Sequence, residues 1–402
     1  MPLNVLFFES GISGGGSFES LYQLLRKMDR SRIRPVVGFL NKTRYLGLIR
    51  DLDVPTYLLT DLVYTQKIPK VLRGNLERRV DRVFLNRPRM ADFVVSLGHG
   101  WLISQLCSIA RKEKIDLLYC NDNINRDIFG CYVARKMNIP FVSHLRSTDG
   151  KTFAGAKVDF ANRWVDSYIA NSDQCAAYWT GRGAASRKMH VVYNAVERVD
   201  SPSVDIRDEL HIPAETKIIV SMGRLVPLKG HPFLLNSFAD LLKNGVNAHL
   251  VIAGDGPDRT KLEALAKSLG LGERVSFIGH DSRGSALIAG ADLLALTSNK
   301  ESFGRVLIEA MQVGVPVVGT NIGGIPDVIQ HEKNGLLVEY DDRAGLSDAF
   351  KRLLEDQELR QRCIENGQLA VASKFDLDVH VNEIERIIEA VSAKANRMTE
   401  QR

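Results

Sequence analysis

At 402 residues, with 45% hydrophobic and 25% charged side chains, the chain has the composition of an ordinary soluble globular protein and is too long for one core, so two domains are expected. It holds no apolar run of the roughly 18–20 residues needed to span a bilayer, and its five cysteines are scattered without CxxC spacing, which fits reduced thiols in a cytosolic protein and offers no metal site. The net charge of +5 conceals an asymmetry: residues 1–190 carry 29 Lys and Arg against 17 Asp and Glu, a net +12, while the remainder carries 24 against 31, a net −7.

The first segment, MPLNVLFFESG, has no basic residues ahead of its apolar run and reads as a strand, not a signal peptide. The glycine-rich Ser10–Ser17 follows, and then helical spacing from Phe18 to Met28. Strand, glycine loop and helix together open a doubly wound α/β domain, with the loop at the carboxyl end of a strand, where ligands bind. The match to G-x-G-x-x-G is poor, so the loop is either a plain tight turn or a close approach of backbone to a phosphate or sugar. Further strands are expected at Pro35–Leu40, Leu117–Cys120 and Pro140–His144, the last ending in a histidine.

Between Lys67 and Arg89 eight basic residues face only Glu77 and Asp81. Leu72, Leu76, Val80, Val83 and Phe84 recur at helical spacing, with Arg73, Arg78, Arg79 and Arg82 on the other face. This predicts a basic amphipathic helix over 68–87 that either lies in solvent or docks on an anionic membrane surface. The aromatic interleaving of a nucleic-acid site is missing, so no nucleic acid is expected as a partner.

After a strand at Asp166–Ala170 and a turn-rich stretch at Glu197–Glu215, which reads as a linker, the pattern restarts. Strands are expected at Lys217–Ser221, His249–Ala253, Val275–Gly279, Asp292–Thr297 and Gly335–Val338, alternating with helices. Behind the first of them, Arg224 and Lys229 share one glycine-flanked loop, a suitable pair for a diphosphate. The stretch from Asn299 to Gly324 carries two carboxylates, Glu301 and Glu309, around the step Phe303-Gly304-Arg305-Val306. A helix beginning near Gly304 would aim unpaired amides and a positive dipole end at an anion. If both carboxylates rode on that helix, eight residues would set them about 80° apart and roughly 12 Å along its axis. A helix near Leu377–Ala395 ends the chain.

The set Gly14-Gly15-Gly16, GRLVPLKG, AGDGP, ESFGRVLIEAM and GVPVVGTNIGG, in this order and spacing, resembles the GT-B retaining glycosyltransferases of family 4 over nearly the whole chain. The resemblance implies an α/β chain of two Rossmann-like, doubly wound domains facing across a cleft. Residues 1–198 would bind the acceptor, joined by a crossover helix at about 377–402, and residues 199–376 would bind a nucleotide sugar. Arg224 and Lys229 would hold the donor diphosphate and stabilise it as it leaves. Glu301 would contact the donor sugar, the amides of Phe303, Gly304, Arg305 and Val306 its sugar and phosphates, and Glu309 the ribose hydroxyls. Gly15 and Gly16 would let backbone approach the phosphates, and His144 would orient the reaction on the acceptor side. No metal and no cofactor are expected. The implied reaction moves a hexose from a UDP, GDP or ADP sugar to a lipid-linked or glycan acceptor at the cytoplasmic side of a membrane. A nucleotide-sugar-binding subunit without transfer activity, or a GT-B epimerase or phosphorylase, would share the fold.

Overall fold

The computed structural model describes residues 1–11, 16–59, 88–148, 154–197 and 204–400. Gly15 and the expected basic helix over 68–87 lie outside them. The chain divides into two units, Met1–Tyr193 with Asp378–Arg402, and Asn194–Leu377.

The first unit is built on a parallel sheet of seven strands: β1 (Leu3–Glu9), β2 (Ile33–Phe39), β3 (Thr56–Leu58), β4 (Leu117–Cys120), β5 (Phe141–Leu145), β6 (Ser167–Ala170) and β7 (Met189–Val191). Their order is β3-β2-β1-β4-β5-β6-β7, with Val5 opposite Leu117 and Leu3 opposite Ile33. Helices cover such a sheet on both faces, so its central strands are apolar without alternation. Val5 to Phe8 of β1 and all of β4 are accordingly buried.

The helix Leu377–Glu400, last in sequence, belongs with this first unit. Its buried stripe of Val381, Ile384, Ile387 and Ile388 follows the 3.6-residue period, each side chain contributing about 1.5–3 kcal/mol when fully covered. Polar contacts fix its register: Glu385 accepts from the Asp29 amide at 2.7 Å and from Arg32 at 2.8 Å, and Arg32 also reaches Glu389 at 2.6 Å.

The second unit carries β8 (Lys217–Met222), β9 (Ala248–Ala253), β10 (Val275–Gly279), β11 (Leu293–Leu296), β12 (Val317–Thr320) and β13 (Leu336–Val338), in the parallel order β10-β9-β8-β11-β12-β13. Every residue of β9 is buried, as a central strand covered on both faces requires. Both units are therefore doubly wound, and each has one place where the strand order reverses, between β1 and β4 and between β8 and β11. Ligands of open α/β sheets bind at that place, outside the carboxyl ends of the strands, because the two loops there diverge and leave a crevice. Among the described residues no helix is long and apolar enough to cross a membrane.

Candidate functional site

In the second unit the chain leaves β8 through Gly223–Gly230 and β11 through Thr297–Gly304, so these two loops flank the reversal point. Lys229 and Glu301, 72 residues apart, meet there: Lys229 Nζ donates to Glu301 Oε2 at 2.5 Å. Ser298 Oγ donates to the same oxygen at 3.2 Å, and Ser298 is held in turn by Thr320 Oγ1, which donates to its carbonyl at 2.6 Å. The side chains of Lys229 and Glu301 are 27% and 14% exposed, so both charges keep a path to a ligand. Arg224 stands exposed on the Lys229 loop.

Two glycines make this approach of loops possible. Gly230 has φ +66°, and a Cβ there would lie 1.9 Å from the Thr297 carbonyl oxygen; Gly323 has φ +58°, and its Cβ would lie 1.9 Å from the Glu301 carbonyl oxygen. Both positions demand a left-handed backbone and no side chain.

The helix Arg305–Gln312 starts directly after Gly304 and buries Leu307, Ile308, Ala310 and Met311. Its leading amides and positive dipole end face back toward the Glu301 loop. The Phe303 ring is buried edge-on against Phe375, with centroids 5.8 Å apart. Val306 and Glu309 are half-buried on the remaining face, and Arg305 pairs with Glu309 at 3.4 Å. One expectation is corrected here. Glu301 lies in the loop ahead of the helix, so its offset from Glu309 does not follow the helical spacing of eight residues. Two cations, a helix N-terminus and a carboxylate at one sheet edge can hold a diphosphate beside a polyhydroxylated group.

Buried polar side chains stand at the reversal point of the first unit. Glu9, at the end of β1, accepts from the Gly11 amide at 2.9 Å and from Asn121 Nδ2 at 2.6 Å, and Arg146 Nε donates to Asn121 Oδ1 at 2.8 Å. Ser10 and Asn123 donate to Asp122 at 2.9 and 2.8 Å. His144, next to last in β5, is fully buried, and its Nδ1 shares a short hydrogen bond with the Tyr119 hydroxyl. Burial first, then the Arg146 charge, hold its imidazole well below the usual range and therefore neutral. Gly16 opens the helix Gly16–Lys27 and is exposed. The structure thus brings Arg224, Lys229, Glu301, Phe303, Gly304, Arg305, Val306 and Glu309 to one edge of the second unit, and sets Gly16 and His144 in the first.

Burial, then the neighbouring Asp122 charge, push the Glu9 carboxyl from 4.5 up to about 8, and Asp127 is raised in the same sense by burial and by Asp122. Between pH 4.5 and about 8 the folded chain therefore holds a proton on Glu9 that the unfolded chain has released. Stability falls as pH rises through that window, and the loss is complete above it. The expected result is a melting temperature that declines from about pH 5 to about pH 8, with the Glu9 carboxyl carbon resonance titrating at a midpoint near 8. A midpoint near 4.5 would refute this reading.

Sequence reasoning missed Ser298, which holds Glu301, Thr320, which holds Ser298, and Glu9, which ties Gly11 to Asn121. Glu9 did leave a signal, a carboxylate ending an otherwise apolar strand. Ser298 left only its position in a loop behind a strand.

Residues 203–370 match the family model described as glycosyl transferases group 1, and residues 62–198 the model described as glycosyltransferase family 4. The N-acetyl-alpha-D-glucosaminyl L-malate synthase of Bacillus anthracis is 32% identical over 298 residues, 71% of this chain and 77% of that protein. The lipopolysaccharide core biosynthesis glycosyltransferase LpsD of Rhizobium meliloti is 32% identical over 47% of this chain and 54% of its own length. Among solved structures, Anabaena Alr3699/HepE in complex with UDP superposes with a TM-score of 0.80 at 23% identity, covering 96% of this chain and all of that one, a likeness of fold.

Proposed function

We propose that this chain, which belongs to the group 1 glycosyltransferases of family 4 and has the GT-B fold, moves a hexose-type sugar from a nucleoside diphosphate sugar to a lipid-linked or glycan acceptor with retention at the anomeric carbon. The observation that carries the reading is the meeting of Lys229 and Glu301 at the β8/β11 reversal point, beside Arg224 and the start of the helix Arg305–Gln312.

In this reading Lys229 and Arg224 bind the diphosphate oxygens, the ammonium as a point charge and the guanidinium through two parallel bonds. The bond from the anomeric carbon to the leaving phosphate oxygen breaks as charge builds on that phosphate, and the two cations and the amides of Phe303 to Val306 stabilise it there. The acceptor hydroxyl forms its bond on the same face and gives its proton to the departing phosphate. Glu301 accepts hydrogen bonds from the donor sugar, and Glu309 from the ribose. Neutral His144 is assigned to orientation on the acceptor side. Because cations of the chain itself meet the diphosphate, transfer is expected to persist in EDTA.

Uridine is favoured as the base by the neighbouring fold, HepE, solved with UDP and with UDP-glucose. The lipopolysaccharide relatives favour a glycan or lipid-linked acceptor. The basic stretch 68–87 would then seat the enzyme on the anionic cytoplasmic face of a membrane. A thermal-shift panel of UDP, GDP and ADP with their common sugars, run without divalent metal, tests the donor site. A rise with UDP and its sugars is expected. No rise with any nucleotide would overturn the assignment.

A further inference from the structure

The ammonium assigned to the diphosphate already has a protein partner: Lys229 Nζ is bonded to Glu301 Oε2 at 2.5 Å. We infer that this pair is an exchange contact that expels the nucleoside diphosphate product. The inference rests on the donor-site reading above and deepens it.

The two partners differ in freedom. Glu301 is pinned: its carboxylate accepts from Ser298 Oγ at 3.2 Å, and its carbonyl accepts from the Gly324 amide at 3.1 Å. Ser298 itself is fully buried and tied to β12 through Thr320 at 2.6 Å. Lys229 is the movable partner, an ammonium with three donors on a flexible four-carbon stem. While a donor sugar is bound, its hydroxyls share the Glu301 carboxylate, and the Lys229 ammonium can serve carboxylate and phosphate together. After transfer the sugar has left with the acceptor, and the diphosphate gains a negative charge once it releases the acceptor's proton to solvent. The pinned carboxylate then has no sugar hydroxyls to accept from and competes in full for the one ammonium. Glu301 thus weakens the hold on the product while supporting the hold on the donor.

The test is the dissociation constant of UDP, measured by titration calorimetry without divalent metal, for wild type, Glu301→Gln, Lys229→Ala and the double variant. Glu301→Gln keeps the size of the side chain and one accepting oxygen and removes its charge. It is expected to bind UDP about tenfold more tightly than wild type, and Lys229→Ala about tenfold more weakly. The double variant is expected to match Lys229→Ala, because the gain from removing the carboxylate passes through the ammonium. Lys229→Met replaces Lys229→Ala if the latter lowers the melting temperature. Equal or weaker UDP binding by Glu301→Gln would overturn the exchange, as would the same tightening in the Lys229→Ala background. If wild type binds neither UDP nor GDP nor ADP, the donor-site reading falls and takes the exchange with it. If wild type binds UDP and the variants fail to couple, only the exchange falls.

Discussion

Lys229→Ala is expected to lower the rate of sugar transfer by about 10²- to 10³-fold, the cost of removing one preorganised donor from developing charge, about 2.7–4 kcal/mol. The ammonium sits where loops from β8 and β11 converge, and its reach is set by the bond to Glu301 at 2.5 Å. Stability is expected to change by less than about 1 kcal/mol, since the pair keeps contact with solvent. That separation is diagnostic. A large loss of turnover with an unchanged melting temperature assigns Lys229 to the chemistry. An unchanged turnover would remove it from the site, and the Arg224→Ala variant, expected to fall in parallel, provides the independent check. Lys229→Arg is expected to recover part of the rate, because guanidinium preserves the charge but not the compact geometry.

Gly323→Ala is expected to destabilise the second unit and disable it together. At φ +58° an L side chain costs roughly 1–2 kcal/mol, and the added Cβ would lie 1.9 Å from the Glu301 carbonyl oxygen, a separation that only backbone movement can relieve. The combined cost is expected to reach about 3 kcal/mol, or a fall in melting temperature of about 6–12 °C for a unit of this size. Because the backbone that must move carries Glu301, the Michaelis constant for the donor is expected to rise as well. Calorimetry and initial rates measure the two effects. A variant that melts and turns over like wild type would show that the Glu301 loop is free to shift, and would undo the view of Glu301 as a pinned carboxylate.

Much of the fold was legible because its driving pattern is local. Central strands of a parallel sheet are covered on both faces and stand out as short apolar runs between glycine-rich loops. The expected strands at Leu117–Cys120 and Val275–Gly279 agree with β4 and β10, and the others differ by a residue or two at their ends. The short β3 (Thr56–Leu58) and the helix Tyr45–Arg50 were not foreseen. Both are only a few residues long, and β3 is an edge strand of three residues, too short to show a period. The membership of the family was legible too, because glycine and charge spacing in the loops of the second unit is a one-dimensional signature.

By itself the sequence determined which segments bury themselves, which turns need glycine, and which residue types stand at the carboxyl ends of strands. Those are consequences of periodicity and backbone sterics, which act over a few residues. Only the tertiary structure decided which of those ends meet. The strand order β9-β8-β11-β12 makes β8 and β11 neighbours although some 70 residues separate them, and so puts Lys229 on Glu301. It also supplied Ser298, which holds the carboxylate, and Thr320, which holds Ser298, and drew Glu9 and Asp127 into one buried cluster where the Asp122 charge adds to burial in raising their proton affinity. Hydrogen bonds and Coulomb forces depend on distance in space, and the order of strands in a sheet sets that distance where spacing along the chain does not.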